Sequence, residues 1–344
     1  MLGGFRVQKS EVFTIKIIIN TPGSYISKSG ECFLLTTDEK KVEISAKKVE
    51  QILITTAAAL TTDALLLAVD NNIDVVFLRY NGKPFGRVWH SKLGSISTIR
   101  RKQLMLQELP LGLQLTKEWI NCKFDNQTDF LKKLLQNRRD EKRRTLIKGA
   151  INKIEELKTK LNSLDKYDNI DEARYTILGY EGNVGRIYFQ TLGQLIPGKY
   201  KFTERSRNPA KDQFNCMLNY SYGVLYSQVE RACILAGLDP YIGIMHTDNY
   251  NRQAFVYDIV EMYRGYMDEI VFKLFSTKKV ADEFFDPVEG GIYMNQDGKK
   301  LLIEAINKAF ETKIKHKGRN IELQNTMQYD CHEIANRILK EVEG

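Results

Sequence analysis

The chain changes grammar once, and that change limits what it can fold into. Up to about Trp89 it is written in short β-branched runs, "FTIKIIIN", "SYIS", "CFLLTT", "KVEISA" and "QILITT", divided by turn clusters such as "KSGE" and "TDEKK". One helical run, "TTDALLLAVDNN", interrupts them, with Thr61 or Thr62 placed to cap it. The strand-like "DVVFLRY" then leads into Asn81-Gly82, the dipeptide that suits a tight hairpin because both residues accept positive φ. From about Ser95 the apolar spacing becomes helical through "TIRRKQLMLQEL", "TDFLKKLLQNRRDEKRRTLIKGAINKIEELKTKL" and "QFNCMLNYSYGVLYSQVERACILAGL", while prolines become scarce. The expectation is an α+β protein of two domains: a small β-rich unit with one helix over residues 1–92, and a larger all-α unit over 93–344.

A chain of 344 residues with 43% hydrophobic content can bury a core in each unit, and its formal charge of +8 favours an anionic partner, nucleic acid before any other. The five cysteines are scattered with no CxxC pair, which excludes the common zinc and disulfide frameworks. "MLGGFRVQKSEVFTIKIIIN" lacks the pattern of a signal peptide, and no run has the length of a membrane span. The reading is a cytoplasmic protein without a membrane partner.

Chemistry concentrates in "PYIGIMHTDNYNRQAFVYDIVEMYRGYMDE". If Arg252 to Phe275 is one helix, Ala254, Asp258, Glu261 and Gly265 share a stripe beside the core stripe Phe255, Ile259, Met262 and Tyr266. Carboxylates against an apolar wall need a cation to neutralise them. With His246 from the preceding loop they make a ligand set suited to Mn²⁺ and tolerable for Mg²⁺. The plainer alternative pairs them with Arg252 or Arg264 on a solvated face. His90, His316 and His332 have no comparable acidic neighbours and read as structural or surface groups. Glu181, in "LGYEGNVGRIYFQTL", is a further acid beside Gly182 and Gly185; glycines inside a helix imply close approach of another backbone, unless a loop ends there. Lys199, Lys201, Arg205, Arg207 and Lys211 interleave with Tyr200 and Phe202 in a loop suited to phosphates and bases, or simply to solvent; "KIKHKGR", Lys313 to Arg319, is another basic patch.

These segments together resemble the CRISPR-associated integrase, the larger protein of the spacer-acquisition complex. "EGNVGRIYF" is similar to its "EG…R.YF" motif, and "RSRNPAKDQFNCMLNYSYGVLY" to its "R..NP..D..N..L" segment at Arg207, Asn208, Pro209, Asp212, Asn215 and Leu218. "DPYIGIMH" resembles its glycine-then-histidine motif and "FVYDIVEMYR" its "D..E/D..R" helix; Gly185 and Gly265 depart from it. The resemblance implies a catalytic helical domain with Glu181, His246, Asp258 and Glu261 at its centre. It implies a Mg²⁺ or Mn²⁺ site on Glu181, His246 and Glu261, with Asp258 a neighbouring acid. It also implies a homodimer clamping a small ferredoxin-like CRISPR-associated adaptation partner, and DNA (a double-stranded fragment and the CRISPR repeat) as substrate. Arg186, Lys201, Arg205, Arg207 and Lys211 would then hold phosphates. A mobile-element integrase, a nuclease of branched DNA and a non-catalytic DNA scaffold are the alternatives; the first is expected to carry an extra DNA-binding module.

Overall fold

The computed structural model describes residues 15–342 except 39, 72, 80–83, 89–95, 165–166, 208 and 248–251. Asn81-Gly82, His90, Asn208 and the first fourteen residues therefore lie outside the described residues. The chain divides into two compact units, Met1–Lys92 and Leu93–Gly344.

Among the described residues the first unit holds two four-stranded sheets and one α-helix. β1 (Ile15–Ile19), β5 (Val49–Ile54) and β7 (Asp74–Leu78) pair in parallel, with β8 (Pro84–Val88) antiparallel at the edge. The second sheet runs in the order β4 (Lys41–Ser45), β3 (Cys32–Thr36), β2 (Ser24–Ser29), β6 (Ala58–Leu60). Alternate residues of β1 point to opposite faces. Ile17 and Ile19 join Ile26, Phe33, Ile52, Val75 and Leu67 in one core, while Ile18 packs with Leu53, Val76 and Leu78 on the other side. Both faces of the parallel strands thus pack apolar side chains, which is why their sequences are rich in Val, Ile and Leu on consecutive positions such as Ile52–Ile54 and Val75–Leu78. Helix α1 (Thr62–Asp70) is capped by Thr61, whose hydroxyl accepts from Ala64 N.

The second unit is mainly helical: α2 (Ile96–Met105), α3 (Pro110–Gln136), α4 (Glu141–Asn162), α5 (Ile170–Leu195), α6 (Gln213–Ala236), α7 (Ala254–Val260), α8 (Arg264–Ser276), α9 (Gln296–Phe310) and α10 (Leu323–Glu341). α6 is buried on nearly every side, as its dense apolar sequence requires. Asp212 caps it by accepting from Asn215 N at 2.8 Å, and Gly237 ends it at φ +83°.

Two expectations need correction. The second unit is not all-α: it carries the antiparallel ribbons β9 (Phe285–Val288) with β10 (Gly291–Met294), and β11 (Lys313–His316) with β12 (Arg319–Glu322). Their four-residue strands are too short for an alternating pattern to stand out, although their turns take positive φ at Gly290, and at Lys317 and Gly318. Nor is Arg252 to Phe275 one helix. The chain tightens into i→i+3 bonds at Glu261–Tyr263, where Met262 N donates to Ile259 O and Tyr263 N to Val260 O, and a new helix begins at Arg264.

Replacing Asp212 with alanine removes the cap of the central helix. The loss expected in urea unfolding is about 1 to 2 kcal/mol; a loss within error would show that the cap is dispensable.

Candidate active site

The site forms where four elements meet, and buried charge organises it. Asp258 in α7 is wholly buried. Its Oδ2 accepts from Ile244 N at 2.6 Å and Met245 N at 3.2 Å; its Oδ1 accepts from His246 N at 2.9 Å and lies 2.7 Å from His246 Nδ1. A carboxylate only accepts, so Nδ1 carries a proton toward Asp258, and in the neutral imidazole the lone pair lies on Nε2, facing away from it. Asp258 therefore orients the imidazole.

The loop that brings His246 here is held from outside as well. Gly243 sits where an added Cβ would fall 2.2 Å from His246 O and 2.6 Å from Ala254 Cβ, so only glycine fits that turn. Arg174 of α5 donates to the carbonyls of Met245 and Ile244, each at 3.0 Å, and Gln107 donates to Gly243 O at 2.7 Å. Arg174 is a site-building residue that sequence reasoning missed, because nothing local to it marks the loop it reaches.

Glu261 occupies the break between α7 and α8 and is 2% exposed. Its Oε1 lies 3.2 Å from Arg264 Nη2, and its Oε2 lies 2.6 Å from Lys123 Nζ on α3. The same ammonium pairs with Glu181 on α5. Burial pushes the Glu261 carboxyl up, but Arg264 and Lys123, helped by His246, outweigh it and hold the group down at about 2. Lys123, despite burial, is kept charged by Glu261 and Glu181. The pairing with Arg264 is real, then, but it is buried and not on a solvated face; Arg252 instead lies over the Tyr257 ring.

Lys123 is the second residue that sequence reasoning missed. α3 is clamped to the Glu261 turn, for Asn126 Nδ2 donates to Met262 O at 2.8 Å, and a Cβ at Gly265 would meet Asn126 Cβ at 2.9 Å. Arg264 is buried over Tyr222 and beside Tyr226. Behind it, Tyr222 donates to the buried Asp268 at 2.6 Å. Burial raises the Asp268 carboxyl to about 6, with the Tyr222 hydrogen bond, Arg205 and Lys123 pulling the other way.

Helix α5 runs unbroken through Glu181, so no loop ends at Gly185; Gly182 and Gly185 both face open space. Of the basic residues, Arg186 is exposed on α5 and donates to Asn183 Oδ1 at 2.7 Å, and Lys201, Arg207 and Lys211 are exposed in the loop before α6. Arg205 is turned inward: it bonds Asn215 and Asn219 and lies over the Phe189 and Tyr222 rings. Asn215, Asp212 and Arg205 thus tie the loop to α6. His316 bonds Asp330 at 2.7 Å, and His332 lies 2.9 Å from Gln328 Nε2.

The donors present suit a divalent cation in kind. Two carboxylates, one on α5 and one at the α7–α8 break, converge on one positive atom, and Glu261 Oε2 is buried without a hydrogen bond of good geometry beside that ion pair. His246 presents a nitrogen lone pair oriented by a carboxylate. Among the described residues no three His, Cys, Asp or Glu side chains surround a single point.

The fold is shared with several proteins of solved structure. A casposase solved bound to its integration product matches with a TM-score of 0.79 at 20% identity, over 96% of this chain and 92% of that one. A Cas1 protein from Thermotoga maritima also gives 0.79 at 20% identity, over 96% of this chain and 99% of that one. A chain of a Cas6-RT-Cas1–Cas2 complex gives 0.77 at 18% identity, over 97% of this chain and 36% of that one. In sequence, the CRISPR-associated endonuclease Cas1 1 of Archaeoglobus fulgidus is 30% identical over 334 residues, 93% of this chain and 95% of the relative. The model of the family "CRISPR associated protein Cas1" matches residues 17–308. The chain belongs to the family of CRISPR-associated Cas1 proteins, among which the curated relative from Archaeoglobus fulgidus is named an endonuclease.

Because the folded state keeps a proton on Asp268 up to about pH 6 and the unfolded chain releases it near 4, this group's contribution to stability is full below about pH 4 and falls as pH rises to about 6, by about 3 kcal/mol. Asp268→Asn keeps an acceptor for Tyr222 and should flatten that slope. Urea unfolding of both proteins across that window checks it, and parallel pH profiles would refute it.

Proposed function

We propose that this protein is a divalent-metal-dependent DNA endonuclease and integrase that inserts short DNA fragments into a CRISPR array. The observation that carries the reading is the convergence of Glu181 on α5 and Glu261 at the α7–α8 break on one cationic centre in a unit that also holds an imidazole oriented by Asp258. Glu181, His246 and Glu261 would hold Mg²⁺ or Mn²⁺. The bound ion supplies Lewis acidity at the scissile phosphodiester and favours an ionised attacking hydroxyl.

The chain's own residues do the rest. Asp258 fixes the His246 ring and its tautomer, so one nitrogen always faces outward. Arg264 keeps Glu261 ionised in a buried place. Gly182 and Gly185 leave room beside Glu181 for a phosphodiester backbone. Arg186, Lys201, Arg207 and Lys211 steady phosphates, which adds affinity without reading sequence. In integration a 3′-OH of the incoming fragment attacks phosphorus, the target's P–O3′ bond breaks, and a target 3′-OH leaves. One phosphodiester replaces another, so no nucleotide cofactor is needed. With water as nucleophile the same site nicks DNA. The working assembly is a homodimer with a small ferredoxin-like adaptation partner; that a Cas2-containing complex shares the fold supports a CRISPR-associated partner.

The test is strand joining of a labelled duplex with free 3′-OH ends to a plasmid carrying a repeat array, with Mn²⁺, Mg²⁺ or EDTA, with and without the partner. Glu181→Ala and Glu261→Ala should each lose about 100-fold or more, and Asp258→Asn about 10- to 100-fold. Joining without preference for the repeat would favour a mobile-element integrase; DNA binding with no metal-dependent product would favour a scaffold.

Gly182→Leu separates room for substrate from folding. A helical leucine in open space should leave the melting temperature unchanged or raised, while DNA joining falls. Full activity in that variant would remove the glycine face from the substrate path.

A further inference from the structure

Lys123 is an unusual residue to find at this place. Its side chain is 5% exposed, and its ammonium is shared by two carboxylates that come from α5 and from the α7–α8 break. An ammonium buried in this way is tolerable only where fixed anions replace its hydration. The position is imposed by the backbone: Asn126, one turn along α3, is bonded to Met262 O, and Gly265 admits α3 to close range of α8. The anchor of Lys123 is therefore locked to the turn that carries Glu261, while its four-carbon stem leaves the charged tip free to swing.

We propose that Lys123 is a tethered counter-ion, a positioning residue that fills the seat between Glu181 and Glu261 whenever no divalent ion occupies it and must leave for the ion to enter. The proposal rests on the metal-dependent reading above. Its physical basis is charge: the carboxylates need a neutralising partner to stay buried, yet an ammonium and a divalent ion repel strongly at one seat. The way out lies toward Glu181, whose side chain is 23% exposed, beside the open faces of Gly182 and Gly185. The fold thereby holds the site together without an ion, at the expense of affinity for one.

The experiment compares wild type, Lys123→Met, Glu181→Ala and Glu261→Ala, as full chains, by calorimetric titration with Mn²⁺ and by melting with and without the ion. Removing the competing ammonium should tighten Mn²⁺ binding about tenfold or more, lower the melting temperature in EDTA, and enlarge the rise that Mn²⁺ produces. A merely structural lysine would lower the melting temperature without tightening the ion. Because Lys123→Met leaves two buried carboxylates without their ammonium, wild type is also treated with formaldehyde and borohydride, and dimethylated lysines are mapped by mass spectrometry. Lys123 should be protected in EDTA and labelled at saturating Mn²⁺. Unchanged or weaker Mn²⁺ binding in Lys123→Met, or continued protection of Lys123 while Mn²⁺ is bound, overturns the proposal alone. Mn²⁺ binding that survives in Glu181→Ala and Glu261→Ala, or is missing from wild type, overturns the metal reading and this proposal with it.

Discussion

A carboxylate with no water around it must be surrounded by donors, and Asp258 is the group from which this site is built. Three successive backbone N–H groups and an imidazole turn toward it. That demand bends the chain at 244–246 into one shape, and the shape requires glycine at 243. Arg174 and Gln107 then satisfy carbonyls that the same bend leaves facing outward. The orientation of His246 follows from the burial of an acid that never needs to touch substrate.

The second constraint is the interruption between α7 and α8. A continuous helix would carry Glu261 around with the α7 stripe and leave Met262 O within the helical ladder. The break frees that carbonyl for Asn126 and places Glu261 between cations from two elements. The turn is braced from behind: the Tyr263 hydroxyl bonds Asp330, and Asp330 also takes His316 and Lys317 of the β11–β12 turn. Part of the basic stretch Lys313 to Arg319 is thus tied, through one buried acid, to the segment that presents a site carboxylate.

The site was legible in the sequence to the extent that its residues are chemically conspicuous. Acids amid apolar helical runs, a histidine after a glycine turn and glycines inside α5 each stand out because they are poor choices for ordinary packing. The partners were not legible. Lys123 and Arg174 look like ordinary polar positions on long amphipathic helices, and Arg205 looks like one of a cluster of loop cations although it points inward to Asn215 and Asn219. The ribbons escaped notice because four residues are too few to separate a two-residue period from a helical one.

The sequence by itself determined the division into β-branched and helical grammar, the helix cap at Thr61, and which acids and imidazole are the candidates for the chemistry. These are local matters: period, propensity and capping act over a few residues. Only the tertiary structure decided that Asp258 serves His246, that Glu181 and Glu261 share one cation, and that the cation is Lys123. Those relations join residues 12 to 138 positions apart, and they exist because burial forces charges to find partners wherever the packed chain brings them.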